Sequence, residues 1–169
     1  TVNAADLGAA QNRTRLLIRA TKVGLLPPLP PKQQPGDWYE LLKDLIPGAE
    51  DSEIPRWERE RIAAMIERGL LDPTKPIITM GGSVGKSVAA AANAGGPSPT
   101  LKAANEVPRS RMPDGTEKRV SPRMMARLMG LPDSFPVPDN QTLAKTVLGN
   151  GIHGEVTRQM IQPLIDQAS

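Results

Sequence analysis

The alternation of hydrophobic and polar positions along this chain predicts short helices and strands separated by long connections. An apolar run at residues 16–18 follows a polar stretch and predicts a buried strand. Residues 38–46 carry apolar side chains at helical spacing, and Pro47-Gly48 ends this short amphipathic helix. The closely spaced prolines of residues 25–37 favour polyproline II, so this segment is predicted to be a stiff, extended linker.

A helix, a strand, a loop and a last helix are predicted farther along the chain. The helix covers residues 55–69, and a short strand follows at residues 76–80. Residues 81–99 are rich in Gly, Ala and Ser and predict a mobile loop. Residues 155–168 carry an apolar face that predicts a helix, which Pro163 should kink or break at a cost of about 3 kcal/mol.

Turn and capping residues indicate how the segment between these elements is organised. Residues 112–115 have Pro-Asp-Gly turn chemistry, so the flanking segments 100–111 and 116–120 are predicted to pair as strands. Ser121, followed by a proline, has the residue types of a helix start. This helix is predicted to end at Met129, before the glycine that follows.

Composition excludes several kinds of chemistry. The chain has 169 residues, one medium domain or two small ones, and no Cys, which excludes disulfides, thiolate metal ligands and a cysteine nucleophile within it. Its single His, His153, excludes a histidine-rich metal site, and we predict a surface or interface position for it. No apolar run reaches about 18 residues, which excludes a membrane span. No signal peptide pattern is present either, so an intracellular protein is predicted.

Charged residues are distributed unevenly along the chain, although the formal net charge is only +3. Residues 37–72 carry ten acidic and five basic side chains, whereas residues 102–127 carry seven basic and three acidic ones. Residues 1–24 are also basic. Two basic blocks around an acidic middle predict one side that faces a polyanion and another that faces solvent or a partner.

The most informative polar pattern is formed by Gln11, Arg13 and Arg15, directly before the apolar run. Alternate residues of an extended chain point to the same side, so one amide and two guanidinium groups should project together. Arginine binds carboxylates, phosphates and base edges through two parallel hydrogen bonds. The alternative is a trio of surface salt bridges at a strand edge.

Three segments resemble ordered motifs of the DNA cytosine-5 methyltransferases. Residues 3–18, NAADLGAAQNRTRLLI, resemble the eighth of the ten family motifs. Residues 119–135, RVSPRMMARLMGLPDSF, resemble the ninth, and residues 148–152, LGNGI, resemble the start of the tenth. The motifs occur in family order, and most of the chain between the first two corresponds to the variable target-recognition region.

The resemblance implies an α/β fold class. The chain would be the C-terminal fragment of a Rossmann-like, S-adenosylmethionine-dependent methyltransferase fold with a small, loop-rich α+β target-recognition domain. Residues 1–24 would form the last strand region of the catalytic domain. Residues 25–120, including the proline-rich linker, would form the target-recognition domain. Residues 121–169 would return to the catalytic domain and supply the lid of the cofactor pocket and the C-terminal helix.

The resemblance also implies roles for individual residues. Arg15 would hold the carbonyl oxygen of a cytosine flipped out of the duplex, Arg13 would steady the catalytic loop, and Gln11 would support both. The cofactor lid would consist of Gly149, Asn150 and Gly151. Many family members have Ser where this chain has Gly151, so a backbone contact would replace the hydroxyl here. Arg119, Arg123 and Arg127 would organise the recognition region against the catalytic core.

Candidate DNA contacts come from one short motif and from charge. The stretch from Pro97 to Leu101 resembles a Pro-x-Pro-Thr-apolar stretch of the family's recognition region, which lies close to the DNA backbone. The candidates are Lys86, Thr100, Leu101, Lys102, Arg109 and Arg111, with Asn105 as a further possibility. The Gly-Lys stretch around Lys86 does not form a nucleotide-binding P-loop, because Met80 stands where that pattern needs Gly.

The family's reaction needs groups that this sequence lacks. Family members supply a Cys nucleophile, a Glu acid and a Gly-rich cofactor loop, and none of these motifs is present. The resemblance therefore implies an N-terminal catalytic portion as partner, either a separate subunit or the rest of a longer chain, and an inactive chain without it. A cytoplasmic, nucleoid-associated protein of prokaryotic or phage origin is expected. The alternative is a non-catalytic DNA-binding module derived from such an enzyme, binding phosphates with strong salt dependence.

Overall fold

The protein is a mixed α/β structure of small sheets and short helices. The computed structural model describes residues 1–22, 24–81, 90–103 and 107–168. Within these ranges the elements are, in chain order, β1 (Val2–Asn3), a 3₁₀ turn (Ala4–Leu7), β2 (Thr14–Arg15), α1 (Trp38–Leu42), α2 (Arg56–Glu67), β3 (Ile77–Thr79), β4 (Ala91–Asn93), β5 (Arg109–Arg111), β6 (Glu117–Arg119), α3 (Pro122–Leu128), α4 (Gln141–Asn150) and α5 (Gly154–Ala168). No helix in the described ranges is long and apolar enough to cross a membrane.

The larger sheet has four antiparallel strands in the order β4-β3-β5-β6. Its β5–β6 hairpin turns at residues 112–115, where the Met112 amide donates to the Thr116 carbonyl at 2.8 Å. Gly115 has a φ of +89°, which only glycine adopts without strain. The hairpin confirms that the chain pairs around the Pro-Asp-Gly turn, although each strand has only three residues.

Strand β4 lies in the segment predicted to be a mobile loop, so that prediction is wrong for residues 91–93. Ile77 pairs with Asn93 and Thr79 pairs with Ala91. The small side chains of β4 give no local strand signal, because its pairing with β3 rather than propensity holds it in place. Residues 82–89, which include Lys86, lie outside the described residues.

The apolar run at residues 16–18 does not form the predicted buried strand. Strand β2 pairs with β1 and ends at Arg15. Beyond it, Leu16 is 73% exposed and Ile18 is 87% exposed. An apolar run is buried only where another layer covers it, and the described part of this chain does not cover either side chain.

Local sequence signals locate helices α2 and α3 correctly. Ile62 and Met65 of α2 are buried, as the helical spacing predicts. The Ser121 hydroxyl caps α3 by accepting a hydrogen bond from the Met124 amide at 3.3 Å. Helix α1 is shorter than predicted, because after Leu42 the chain continues as turns rather than as helix.

The two C-terminal helices differ from the prediction. Helix α4 was not predicted, although Asn140 caps it by accepting a hydrogen bond from the Leu143 amide at 2.9 Å. Helix α5 continues through Pro163 to its end, so the predicted break does not occur. The missing amide of one proline removes a single helical hydrogen bond, while Val156 and Met160 anchor the first half of α5 in the interior.

The interior consists of three apolar clusters. The largest joins Trp38 and Leu42 of α1 to Met125 and Leu128 of α3 and to Leu148 of α4. A second packs α2 against β3, and a third packs the 3₁₀ turn against α5. The largest cluster thus combines side chains from both sides of Val120, the predicted end of the recognition region.

Candidate functional site

Residues 11–15 form an extended segment whose side chains alternate between the interior and the surface. Gln11 and Arg13 are buried, and Arg15 is half-buried, whereas Asn12 and Thr14 are exposed. The alternation is the one expected of extended backbone. The three side chains singled out by the sequence therefore lie on the same side of the segment.

The Arg13 guanidinium lies inside a ring of backbone carbonyls that we call the carbonyl cage: those of Leu101, Gly149 and Gly151. Nη1 donates to the Leu101 oxygen at 2.8 Å, and Nη2 donates to the Gly149 oxygen at 2.7 Å. Nη2 and Nε both donate to the Gly151 oxygen, at 2.6 and 3.1 Å. Burial, and secondarily the charge of Arg15, lowers the pKa of Arg13 to about 10, so it remains protonated at neutral pH.

The carbonyl cage exists because of where helix α4 ends. The last carbonyls of a helix have no helical partner and carry the negative end of its dipole, so a cation there is favourable. A side chain on Gly149 would place its Cβ only 2.5 Å from the Ala103 nitrogen. The backbone therefore comes close to a neighbouring segment at Gly149, one of the two glycines that flank Asn150. Gly149 and Asn150 both belong to α4 rather than to the predicted loop.

The segment from Ser98 to Leu101 is attached to the same extended stretch. The Asn12 amide donates to the Ser98 carbonyl at 2.8 Å, and the Ser98 amide donates to the Ala10 carbonyl at 2.9 Å. The Thr100 hydroxyl donates to the Asn12 carbonyl. Three segments that are distant in sequence therefore meet at Arg13.

Unlike Arg13, the side chains of Gln11 and Arg15 have polar atoms that remain available for hydrogen bonds. Both atoms of the Gln11 amide group are buried, and neither has a hydrogen-bond partner among the described residues. A buried amide without partners costs free energy, so this arrangement favours a partner supplied from elsewhere. Nη1 of Arg15 donates to the Thr14 carbonyl at 2.9 Å.

The three arginines around α3 bind backbone and acidic groups. Both Nε and Nη2 of Arg127 donate to the Asp133 carboxylate, at 2.8 and 2.7 Å, and Nη1 donates to Asp44 at 2.6 Å. These carboxylates raise the pKa of Arg127 above its ordinary value. Arg123 donates to the Phe135 carbonyl at 2.8 Å, and Arg119 lies 3.3 Å from Glu50.

The candidate DNA contacts have very different environments. Lys102 is exposed, and Thr100 and Arg111 are half-buried. Leu101 is 1% exposed and belongs to the largest apolar cluster. The side chain of Arg109 is 14% exposed and lies 3.9 Å from the buried Glu58 carboxylate.

The sequence also matches a known protein family along almost its whole length. A model of the C-5 cytosine-specific DNA methylase family matches residues 1–166. The chain belongs to this family. Among curated proteins, none matches it.

The chain has an exposed polar side chain at the end of α4, that of Asn150. Its side-chain amide forms no hydrogen bond with a described residue. Cavities of about 520, 420, 230 and 120 Å³ occur in the described part of the molecule, and none of these is lined by Arg15 or Asn150.

The predicted surface position of His153 is wrong, because the structure buries it where α3 and α5 meet. Its side chain is 4% exposed, and Nδ1 accepts a hydrogen bond from the Glu155 amide at 3.1 Å. The backbone comes very close, since a Cβ on Gly130 would lie 2.6 Å from Cε1 of the ring. Gly130, after the end of α3, and Gly154, at the start of α5, are the residues from which this close packing could have been inferred.

We expect the free energy of unfolding of this chain to fall as the pH is lowered from 7 to 5.5. Burial lowers the pKa of His153 below its usual value near 6.5. The stability from its neutral form is fully present above the unfolded pKa and is lost as the pH falls through that value toward the folded pKa, at up to about 1.4 kcal/mol per pH unit. Urea unfolding at a series of pH values measures this slope.

The control for this experiment is H153Q. Because the chain contains one His, this variant should unfold with nearly the same free energy at pH 7 and pH 5.5. The carboxylates with lowered pKa, among them Asp44, Asp133 and Glu155, lose their contribution only at more acidic pH. An equal slope in H153Q would contradict the assignment to His153.

Proposed function

We propose that this chain recognises DNA and completes the active site of a DNA cytosine-5 methyltransferase. The enzyme would transfer a methyl group from S-adenosylmethionine to carbon 5 of a cytosine flipped out of the duplex. The observation that carries this proposal is the carbonyl cage, because it brings the segments that resemble three family regions to one arginine. Membership of the methylase family supports the reaction.

Arg15 is the residue proposed to hold the carbonyl oxygen of the flipped cytosine. The guanidinium of Arg13 already donates four hydrogen bonds to this chain, whereas among the described residues the guanidinium of Arg15 donates one, to a backbone carbonyl. A guanidinium can donate five hydrogen bonds, so Arg15 retains donors for a base. Gln11 would receive partners for its buried amide when the active site is complete.

The end of α4 is proposed to close the cofactor pocket, and its chemistry fits that role. The carbonyls of Gly149 and Gly151 bind Arg13, so they fix the backbone rather than contact a ligand. The exposed Asn150 amide offers a donor and an acceptor, which suits the ribose or the amino-acid end of the cofactor. The bound cofactor supplies the methyl group.

Thr100, Lys102 and Arg111 are the proposed DNA contacts that the structure leaves accessible. Lys102 is exposed, and it follows directly on the segment attached to Asn12. Lys86 stays a proposal from charge alone. Leu101 and Arg109 are withdrawn as side-chain contacts, because one lies in the apolar interior and the other pairs with Glu58.

The proposed partner is an N-terminal catalytic portion, as a separate subunit or as the rest of a longer chain. It would supply the nucleophile, because this chain contains no Cys. Exposed apolar side chains support a docking face for it: Leu16, Ile18, Ile161 and Ile165 are between 40% and 87% exposed. Residues 1–24 and 121–169 would complete its Rossmann-like domain, and residues 25–120 would form the recognition domain.

The proposal is tested by complementation. The chain is mixed with the catalytic portion of a family member that contains the Cys nucleophile, and labelled methyl transfer to duplex DNA is measured. Activity is expected only when both are present, and each portion alone is the control. DNA binding without methyl transfer in any mixture would favour the alternative, a DNA-binding module with no catalytic role.

A further inference from the structure

Arg13 joins two segments that the sequence separates by almost 50 residues. One of its carbonyl partners, Leu101, belongs to the segment 98–103, which carries two of the proposed DNA contacts, Thr100 and Lys102. The other two, Gly149 and Gly151, belong to the proposed cofactor lid. The same guanidinium therefore determines the distance between the two segments.

The connection through Arg13 is rigid. Its hydrogen bonds use four of the five N–H groups of the guanidinium, and they form in a buried environment where charge-assisted bonds are strong. The backbones of Gly149 and Ala103 also touch, with no room for a side chain between them. Motion of the lid away from residues 98–103 would break these hydrogen bonds together.

We infer that Arg13 is a positioning residue that couples DNA binding to cofactor binding. The inference rests on the proposed function, because it assigns the DNA contact to residues 98–103 and the cofactor contact to residues 149–151. A ligand that orders one segment orders the other through Arg13, so less free energy is spent when the second ligand binds. The effect is reciprocal: DNA raises cofactor affinity by the factor by which the cofactor raises DNA affinity.

The test measures the dissociation constant of S-adenosylhomocysteine by titration calorimetry, with and without saturating duplex DNA. It uses the chain complemented by its catalytic portion. DNA should tighten binding at least about fivefold in the wild type, and R13K should reduce this factor to about one. A lysine ammonium cannot reproduce the fork that reaches three carbonyls. Coupling retained in R13K would overturn the inference.

A second variant tests the same connection without changing Arg13. G149A should separate α4 from the Lys102–Ala103 backbone and reduce the coupling factor, whereas G48A should not, because a Cβ on Gly48 meets nothing within 4 Å. If R13K does not fold, the result for G149A decides the test. A coupling factor in G149A equal to that of the wild type would overturn the inference.

Binding measurements on the wild type distinguish failure of the proposed function from failure of the coupling alone. If it binds neither DNA nor S-adenosylhomocysteine, the proposed function fails and the coupling fails with it. If it binds both and each affinity is independent of the other ligand, the proposed function stands and only the coupling is overturned. A purely structural role of Arg13 would lower stability and leave the coupling factor of the folded variant unchanged.

Discussion

Replacing Arg15 by alanine is expected to lower the methyl-transfer rate of the complemented methylase by about 100- to 1,000-fold. A hydrogen-bond donor aimed at an oxygen that gains charge in the transition state contributes most to the chemical step. Arg15 is half-buried at the end of β2, and its guanidinium donates a hydrogen bond to the adjacent Thr14 carbonyl. Its removal therefore breaks little of the fold but removes the proposed contact with the base.

The measurement for R15A is the single-turnover rate of methyl transfer, together with the dissociation constant for duplex DNA. Binding should change little, since backbone phosphates dominate DNA affinity. R56A is the matched control, because the Arg56 side chain is 93% exposed and pairs with Glu60 on the surface of α2. R15K should recover only part of the rate, as an ammonium lacks the planar fork. A wild-type rate in R15A would refute the role.

Elements set by local chemistry could be predicted from the sequence. The capping of α3 by Ser121 and the turn at residues 112–115 depend on neighbouring residues, and both occur as expected. Helix α4 has a similar local signal, because the Asn140 side chain caps its first turn. Strand β4 has no such signal, because an alanine-rich strand is defined by its neighbour in the sheet.

The environment of each candidate site residue could not be predicted in the same way. The pattern of Gln11, Arg13 and Arg15 predicts a shared side, but the burial of Arg13 depends on carbonyls almost 90 and about 140 residues away. Charge predicts a DNA contact equally for an exposed lysine and for a half-buried arginine that faces a carboxylate. Only the packing separates Lys102 from Arg109.

Arg109 lies half-buried beside the buried Glu58 carboxylate, and disrupting this pair should lower the stability of the protein more than it weakens DNA binding. The Glu58 side chain is 1% exposed, and the Thr79 hydroxyl donates to its Oε1. Arg109 donates to the Val107 carbonyl at 2.9 Å and to the Ser52 hydroxyl at 3.1 Å. Burial lowers the pKa of Arg109, and the charge of Glu58 opposes that shift.

Removing Arg109 leaves the buried Glu58 carboxylate without this cation, and removing the Glu58 charge takes one of two nearby carboxylates from the half-buried Arg109. R109M and E58Q are therefore each expected to lower the free energy of unfolding by about 3 kcal/mol, a large part of the 5–15 kcal/mol typical of a domain. The double variant E58Q/R109M should be more stable than the sum of the single losses predicts, because neither charge of the pair remains. Urea unfolding of the four proteins gives the coupling between the two residues.

The same variants separate a structural arginine from a DNA contact. Under conditions where all proteins are folded, R109M should bind duplex DNA within about twofold of the wild type, since it removes no phosphate contact. K102M, a matched change of an exposed basic residue, should weaken binding and reduce the dependence of the dissociation constant on salt. If R109M weakened DNA binding as much as K102M and left the unfolding free energy unchanged, Arg109 would be a DNA contact after all. Its position beside Glu58 would then belong only to the DNA-free state.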